Sequence, residues 1–203
     1  MSLLRTFIAL EIPDELQQMI HNETAQLRDT VGSLVRWVPP GNMHLTLKFL
    51  GNISPANVEI LTQLIRAEAD SCQSFVMKVG GLACFPSPKR PRVIFIGLQA
   101  PGELEALQHA IESATTRLGY ESEARAFSPH LTLGRVRQNV SASDQQRIRR
   151  ALEETRLDLL GMAKVDCVYL YKSDLKPTGS VYTRLFSAPL RKSAAEAHTR
   201  RDD

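Results

Sequence analysis

Cysteine is scarce and shows no pairing pattern. The chain has three, Cys72, Cys84 and Cys167, with no Cys-x-x-Cys spacing. An odd, widely spaced set argues against a disulfide framework or a structural zinc site. Each lies beside apolar or strand-like sequence, which predicts buried thiols in a reducing compartment. No apolar run reaches the length of a membrane span. The apolar start at Leu3–Leu4 meets Glu11, Pro13, Asp14 and Glu15 too soon for a signal peptide, so a cytoplasmic location is expected. Neither a Gly-x-Gly-x-x-Gly loop nor a Walker-type lysine loop occurs, so nothing calls for ATP or a dinucleotide. Charge of one sign is not in large excess. A net +3 permits a polyanionic partner without requiring one.

What is present reads as a folded protein. The apolar fraction of 43% and charged fraction of 23% are ordinary, and 203 residues suffice for one large domain or two small lobes. Strands are predicted at Arg5–Ile12, Val35–Val38, His44–Leu50, Phe75–Val79, Val93–Leu98, His130–Leu133 (with Val136 as the alternative end), Val165–Tyr171 and Val181–Phe186. Amphipathic helices are predicted from Pro13 to Thr30, Ser54 to Ala69, Pro101 to Gly119 and Ser143 to Leu160. Strands mixed with amphipathic helices predict an α/β (α+β) architecture with helices covering sheets on one face.

Two halves emerge. Met43-His44-Leu45-Thr46-Leu47 matches Pro129-His130-Leu131-Thr132-Leu133 at an offset of 86 (130 − 44). That offset suits a duplicated α/β unit and is too long for a small solenoid repeat. The expectation is one bilobal domain over residues 1–190, with pseudo-twofold halves meeting near Gln99–Pro101. Residues 191–203 form a polar C-terminal tail.

Side chains alternate along a strand. His44 and Thr46 therefore share one face, with Leu45 and Leu47 on the other, and His130 and Thr132 do likewise against Leu131 and Leu133. One such tetrapeptide could be solvent-facing decoration. Two, at matching positions of two halves, point to paired chemistry. One imidazole can take a proton from water while the other donates to a leaving oxygen, flanking a phosphate in line. The threonines can donate to non-bridging oxygens. A metal site is the rival use of two histidines. It wants further ligands, and His21, His109 and His198 show no ligand-type spacing. Arg92 and Arg135 are candidate phosphate contacts, with a solvated face as the competing reading. Arg135 falls out of phase with His130 unless the strand twists or ends before it. Trp37, Phe49, Phe85 and Phe127 flank the motifs and could pack in the core or stack on a base.

The chain resembles the 2H phosphoesterases, in particular the bacterial and archaeal RNA 2',3'-cyclic phosphodiesterases also called 2'-5' RNA ligases. The resemblance runs through Arg5-Thr6-Phe7-Ile8-Ala9, Trp37-Val38-Pro39, His44 to Gly51, Phe85-Pro86, Arg92 to Phe95 and Phe127 to Arg135. It extends to Leu175, Pro177, Gly179 and Tyr182 in a closing loop and strand. It implies antiparallel sheets lining a central cleft, with helices outside. It implies hydrolysis of an RNA 2',3'-cyclic phosphate end to a 2'-phosphate, without metal or cofactor. His44 would be the proton donor and His130 the proton acceptor. Joining of a cyclic end to a 5'-hydroxyl would be the same displacement with an alcohol in place of water. Two other readings stand beside this one. The first is a cyclic phosphodiesterase for a small nucleotide such as ADP-ribose 1'',2''-cyclic phosphate. The second is a non-catalytic RNA-binding module. No membrane association and no obligate protein partner is expected.

Overall fold

Five consecutive buried residues, Thr6 to Leu10, mark the first strand as central, because only a strand covered on both faces hides side chains of both parities. A computed structural model describes residues 2–177 and 179–192. Its elements are β1 (Leu4–Glu11), α1 (Asp14–Glu23), α2 (Ala25–Val31), β2 (Val35–Trp37), β3 (His44–Ile53), α3 (Val58–Ser71), β4 (Phe75–Phe85) and β5 (Val93–Gln99). These are followed by α4 (Gly102–Arg117), β6 (His130–Val136), α5 (Ala142–Glu154), β7 (Leu159–Val165), β8 (Cys167–Lys176) and β9 (Gly179–Pro189). Residues 193–203, most of the expected tail, lie outside the described residues.

The strands form one sheet in the order β7-β4-β5-β6-β3-β1-β8-β9, with β2 added beside β6. Taken from either end the order is equivalent. β3 with β1, β8 and β9 on one side mirrors β6 with β5, β4 and β7 on the other. The two halves meet at one registered pair, Leu45 with Leu131, which are themselves equivalent at the offset of 86 (131 − 45). Each half draws on distant parts of the chain, since the last strands, β8 and β9, return to lie beside β1. Helices α3 and α4 pack on each other, α4 also on β3, while α2 packs on α5 and α1 on β7. Leu45, Leu47, Leu131 and Leu133 are buried with these helices in the hydrophobic core. The other face is open at β3 and β6, where Phe49 and Arg135 are exposed, while at β1 the rings of Tyr171 and Tyr182 cover Phe7.

Three elements depart from the sequence reading. The helix expected from Pro13 to Thr30 is two helices, broken at Thr24, whose hydroxyl donates to the Ile20 carbonyl at 2.7 Å. That competition with the backbone is the usual reason threonine interrupts a helix. The helix expected through Leu160 ends at Glu154, and Leu159 instead begins β7. As an edge strand with exposed Leu159 and Met162, β7 lacks the apolar alternation that would reveal it. β4 runs on past Val79 because Gly80 and Gly81 absorb an irregularity in its pairing with β5. A Cβ at Gly80 would stand 2.3 Å from the Asp158 carbonyl oxygen, so the glycine admits β7 closely. The three cysteines are free and half-buried rather than fully buried, and burial raises each thiol pKa.

β3 and β6 carry the same bulge. On β3 the register steps from Ala9–Thr46 to Ile8–Lys48, and on β6 from Phe95–Thr132 to Ile94–Gly134. In each case two successive residues face the helices: Leu47 with Lys48, and Leu133 with Gly134. The residue after them, Phe49 or Arg135, returns to the open face. Lys48 is buried at 4% exposure. It is tolerated because Glu112 of α4 lies 2.6 Å from its ammonium and the Glu121 carbonyl accepts a second hydrogen bond. Gly134 has no such space. A Cβ there would stand 2.5 Å from the Val35 side chain and 2.9 Å from the Trp37 ring.

Lys48→Ala should therefore destabilise the protein by about 3 kcal/mol, because it leaves Glu112 without its buried partner. Replacing both with apolar residues of similar volume should recover most of that loss. Urea unfolding of the two variants checks this.

Candidate active site

The four residues of the paired motifs fall on the open face. With Leu45 opposite Leu131 in an antiparallel register, His44 stands opposite Thr132 and Thr46 opposite His130. All four are partly exposed, while the intervening leucines are buried. The strands thus place two imidazoles and two hydroxyls in a twofold array on a rigid support.

Each histidine is oriented in the same way. His44 Nδ1 lies 2.8 Å from the Asn42 carbonyl oxygen, and His130 Nδ1 lies 2.7 Å from that of Ser128. A carbonyl only accepts, so Nδ1 of each ring carries the proton and Nε2 is left for chemistry. Aromatic rings hold each imidazole. Phe7 stacks on His44 with centroids 4.7 Å apart, and Tyr182 meets it edge-on at 5.2 Å. Phe85 and Phe95 flank His130, each at 5.2 Å.

The symmetry breaks at one position. Glu11 is the cross-strand partner of His44, whereas the equivalent partner of His130 is Gly97. The Glu11 carboxylate accepts hydrogen bonds from Tyr171 and, at 2.7 Å, from Arg184. Burial pushes the Tyr171 hydroxyl up to about 12, so it stays a donor. Arg184 also lies over the Tyr169 ring, 4.5 Å from its centroid. Burial lowers the His44 pKa below its usual 6.5, while the Asn42 carbonyl and the Glu11 charge oppose that fall. A hollow of about 490 Å³ opens beside His44, bordered by Glu11, Asp14, Asn42, Tyr171, Tyr182 and Arg184. It has room for a nucleoside.

The remaining sequence candidates separate. Arg135 is brought onto the open face by the β6 bulge, which supplies the change of phase that simple alternation denies it. Arg92 is set apart. It directly precedes Val93, the partner of Arg135, and so has the opposite parity. It borders a small hollow with Arg90, Pro91, Val140 and Gln145. Phe85 packs against His130 and Phe95, and Phe49 is 58% exposed on the open face. Trp37 lies over Gly134 on the helix side, and Phe127 packs on the core. Glu11, Tyr171 and Arg184 escape sequence reasoning because they gather from β1, β8 and β9, and no spacing links them. Among the described residues no group of three or more His, Cys, Asp and Glu is placed to hold a metal ion, and no helix is long and apolar enough to cross a membrane.

A family model described as LigT-like phosphoesterase matches the chain twice, over residues 10–95 and 96–182. An "RNA 2',3'-cyclic phosphodiesterase" of Methanothermobacter thermautotrophicus is 27% identical over 183 residues, covering 89% of this chain and 95% of that protein. A protein of the same name from Archaeoglobus fulgidus is 30% identical over 183 residues, covering 90% and 98%. Among solved structures, E. coli LigT complexed with 3'-AMP superposes with a TM-score of 0.74 at 25% identity, covering 93% of this chain and 98% of that one. A Thermus thermophilus protein superposes with a TM-score of 0.76 at 27% identity, covering 93% and 99%. With both halves of the chain matched by one family model, and with the same fold in its solved relatives, this protein belongs to the LigT-like phosphoesterases.

Proposed function

We propose that the protein hydrolyses RNA 2',3'-cyclic phosphate ends to 2'-phosphates, with His44 as proton donor and His130 as proton acceptor. The observation that carries this reading is the pair of free Nε2 atoms presented by one face, each ring fixed through Nδ1. Neutral His130, protonated at Nδ1, has Nε2 as its acceptor and takes a proton from the attacking water. The water oxygen bonds to phosphorus and the P–O3' bond breaks. His44, as imidazolium, gives its Nε2 proton to O3'. The phosphate remains on O2', and the ring protons are restored by exchange with solvent. Thr46 and Thr132 donate to the non-bridging oxygens, whose charge grows in the transition state. No metal or cofactor takes part in this scheme.

The RNA substrate is supported by the names of the relatives above, and a 5'-hydroxyl in place of water would form a 2'-5' bond by the same displacement. A cytoplasmic location suits such a substrate. Glu11 supports the division of labour. A carboxylate beside His44 favours its imidazolium, and His130 has glycine in that place. The charge of the bound phosphate adds to the same effect.

An RNA oligonucleotide ending in a 2',3'-cyclic phosphate, incubated in excess EDTA without ATP, should yield a 2'-phosphate identified by mass spectrometry. His44→Ala and His130→Ala should each lower the rate about 10²- to 10⁴-fold. A wild-type enzyme inactive on this RNA would remove the assignment, and activity abolished by EDTA would remove the metal-free scheme. Glu11→Gln should lower the His44 pKa further, because one of the influences raising it is lost. NMR titration of the His44 ring protons should show the shift, and the limb of the pH–rate profile due to His44 should move to lower pH. An unmoved or raised value would mean that Glu11 does not bias the pair. The same depression links to stability. The folded His44 binds a proton less readily than the unfolded one, so its contribution is complete above pH 6.5 and is lost as pH falls below it.

A further inference from the structure

Glu11 is the direct cross-strand partner of His44, so both side chains project to the same face. A carboxylate in that place ordinarily pairs with the facing imidazole, because opposite charges on facing residues attract. Here it does not. Among the described residues Glu11 makes no hydrogen bond or ion pair with His44. Its Oε1 instead accepts from the Tyr171 hydroxyl and, at 2.7 Å, from Arg184. Both donors are themselves held from behind. Tyr171 stacks on Phe7 with ring centroids 5.5 Å apart, and Phe7 stacks in turn on His44. The Arg184 guanidinium lies over the Tyr169 ring. A planar guanidinium set between a carboxylate and an aromatic face is fixed in place on both sides.

Nothing like this surrounds His130. The registers of the two half-sheets relate their residues one by one. Glu11 corresponds to Gly97, and Phe7 to Val93. Tyr171, the partner of Phe7, therefore corresponds to Phe85, the partner of Val93. These two side chains differ by one hydroxyl, and that hydroxyl is the group that bonds Glu11. Tyr169 corresponds in the same way to Ala83. Arg184 has no counterpart, because β7 pairs with β4 only as far as Gly80, short of Phe85.

The chemistry of a proton donor calls for this arrangement. The donor has to be charged, and it has to release its proton to O3'. A carboxylate nearby favours the imidazolium. A carboxylate bonded to Nε2 would hold the proton that O3' needs. Other groups face His44 as well. They are Asp14 of α1, His130 and, further along, Arg135 of β6, Tyr171 of β8, and Tyr182 and Arg184 of β9, while Lys48 and Glu112 lie on the helix side of β3. Among these and Glu11, only Glu11 is both anionic and registered opposite His44.

We infer that Tyr171 and Arg184 are positioning residues that hold the Glu11 carboxylate off His44 Nε2, so that Glu11 charges the proton donor without binding its proton. This rests on the role given above to His44.

Arg184→Met and Tyr171→Phe each remove one of the two donors. The second removes no charge and keeps the ring. Both should free the carboxylate to pair with the imidazolium. NMR should then show the His44 pKa raised in each variant, together with a downfield Nε2 proton that the wild type lacks. On the RNA ending in a 2',3'-cyclic phosphate, Arg184→Met should lower kcat about tenfold, as expected for coupled neighbours. The alkaline limb of its pH–rate profile should move to higher pH. In a Glu11→Gln background the same substitution should cost little, since no carboxylate is left to restrain. Arg184→Lys should keep most of the rate, because an ammonium can still hold the carboxylate. A mere loss of packing would cost the same in both backgrounds and would leave the His44 pKa in place. An unmoved or lowered His44 pKa in Tyr171→Phe, or equal losses from Arg184→Met with and without Glu11, would overturn the inference. A wild type inactive on this RNA, or a change confined to the acid limb, would instead overturn the catalytic reading, and the inference with it.

Discussion

The whole site depends on one cross-strand pair. Leu45 faces Leu131 where two equivalent half-sheets join, and the histidines and threonines of the paired motifs are placed by register from that point. Because each residue of the pair precedes a threonine and follows a histidine, antiparallel pairing sets each histidine opposite the other motif's threonine. Both leucines are buried, so slipping the register by one residue would turn the leucines outward and the histidines into the core. Hydrophobic burial on one face thus fixes the polar array on the other.

The bulges put this symmetry to unequal use. Each adds a second consecutive inward residue, and each inward residue meets a different neighbour. On β3 it is a lysine neutralised by α4, and on β6 it is a glycine under Trp37. The following residue emerges on the open face, as Phe49 at one end and as Arg135 at the other. Glu11 against Gly97 is a third inequality. A twofold scaffold is well suited to gripping a phosphate from both sides. A directional reaction needs the two sides to differ, and these substitutions at equivalent positions make them differ.

Much of this is legible in the amino-acid sequence alone. The repeated His-Leu-Thr-Leu shows both the duplication and the shared face of histidine and threonine, because strand alternation is a strictly local rule. Arg135 is legible as a candidate but its face is not, since a bulge shows only in the pairing of two strands. Glu11, Tyr171 and Arg184 carry no sequence signal, because β1, β8 and β9 bring them together from distant parts of the chain. β7 escapes because an edge strand with exposed apolar residues and a glycine has no period to read.

The return of β8 to the side of β1 has a consequence for how the chain reaches this state. β1 is the most buried strand of its half, yet one of its two hydrogen-bonding edges is satisfied only by residues more than 150 positions later. During synthesis Phe7, Ile8 and Leu10 are made first and covered last. Loop closure over that distance slows folding, and an unpaired apolar edge invites wrong partners meanwhile. The His44 side of the sheet is therefore completed late, and a nascent chain stalled before β8 would hold the His44 strand without the hollow beside it.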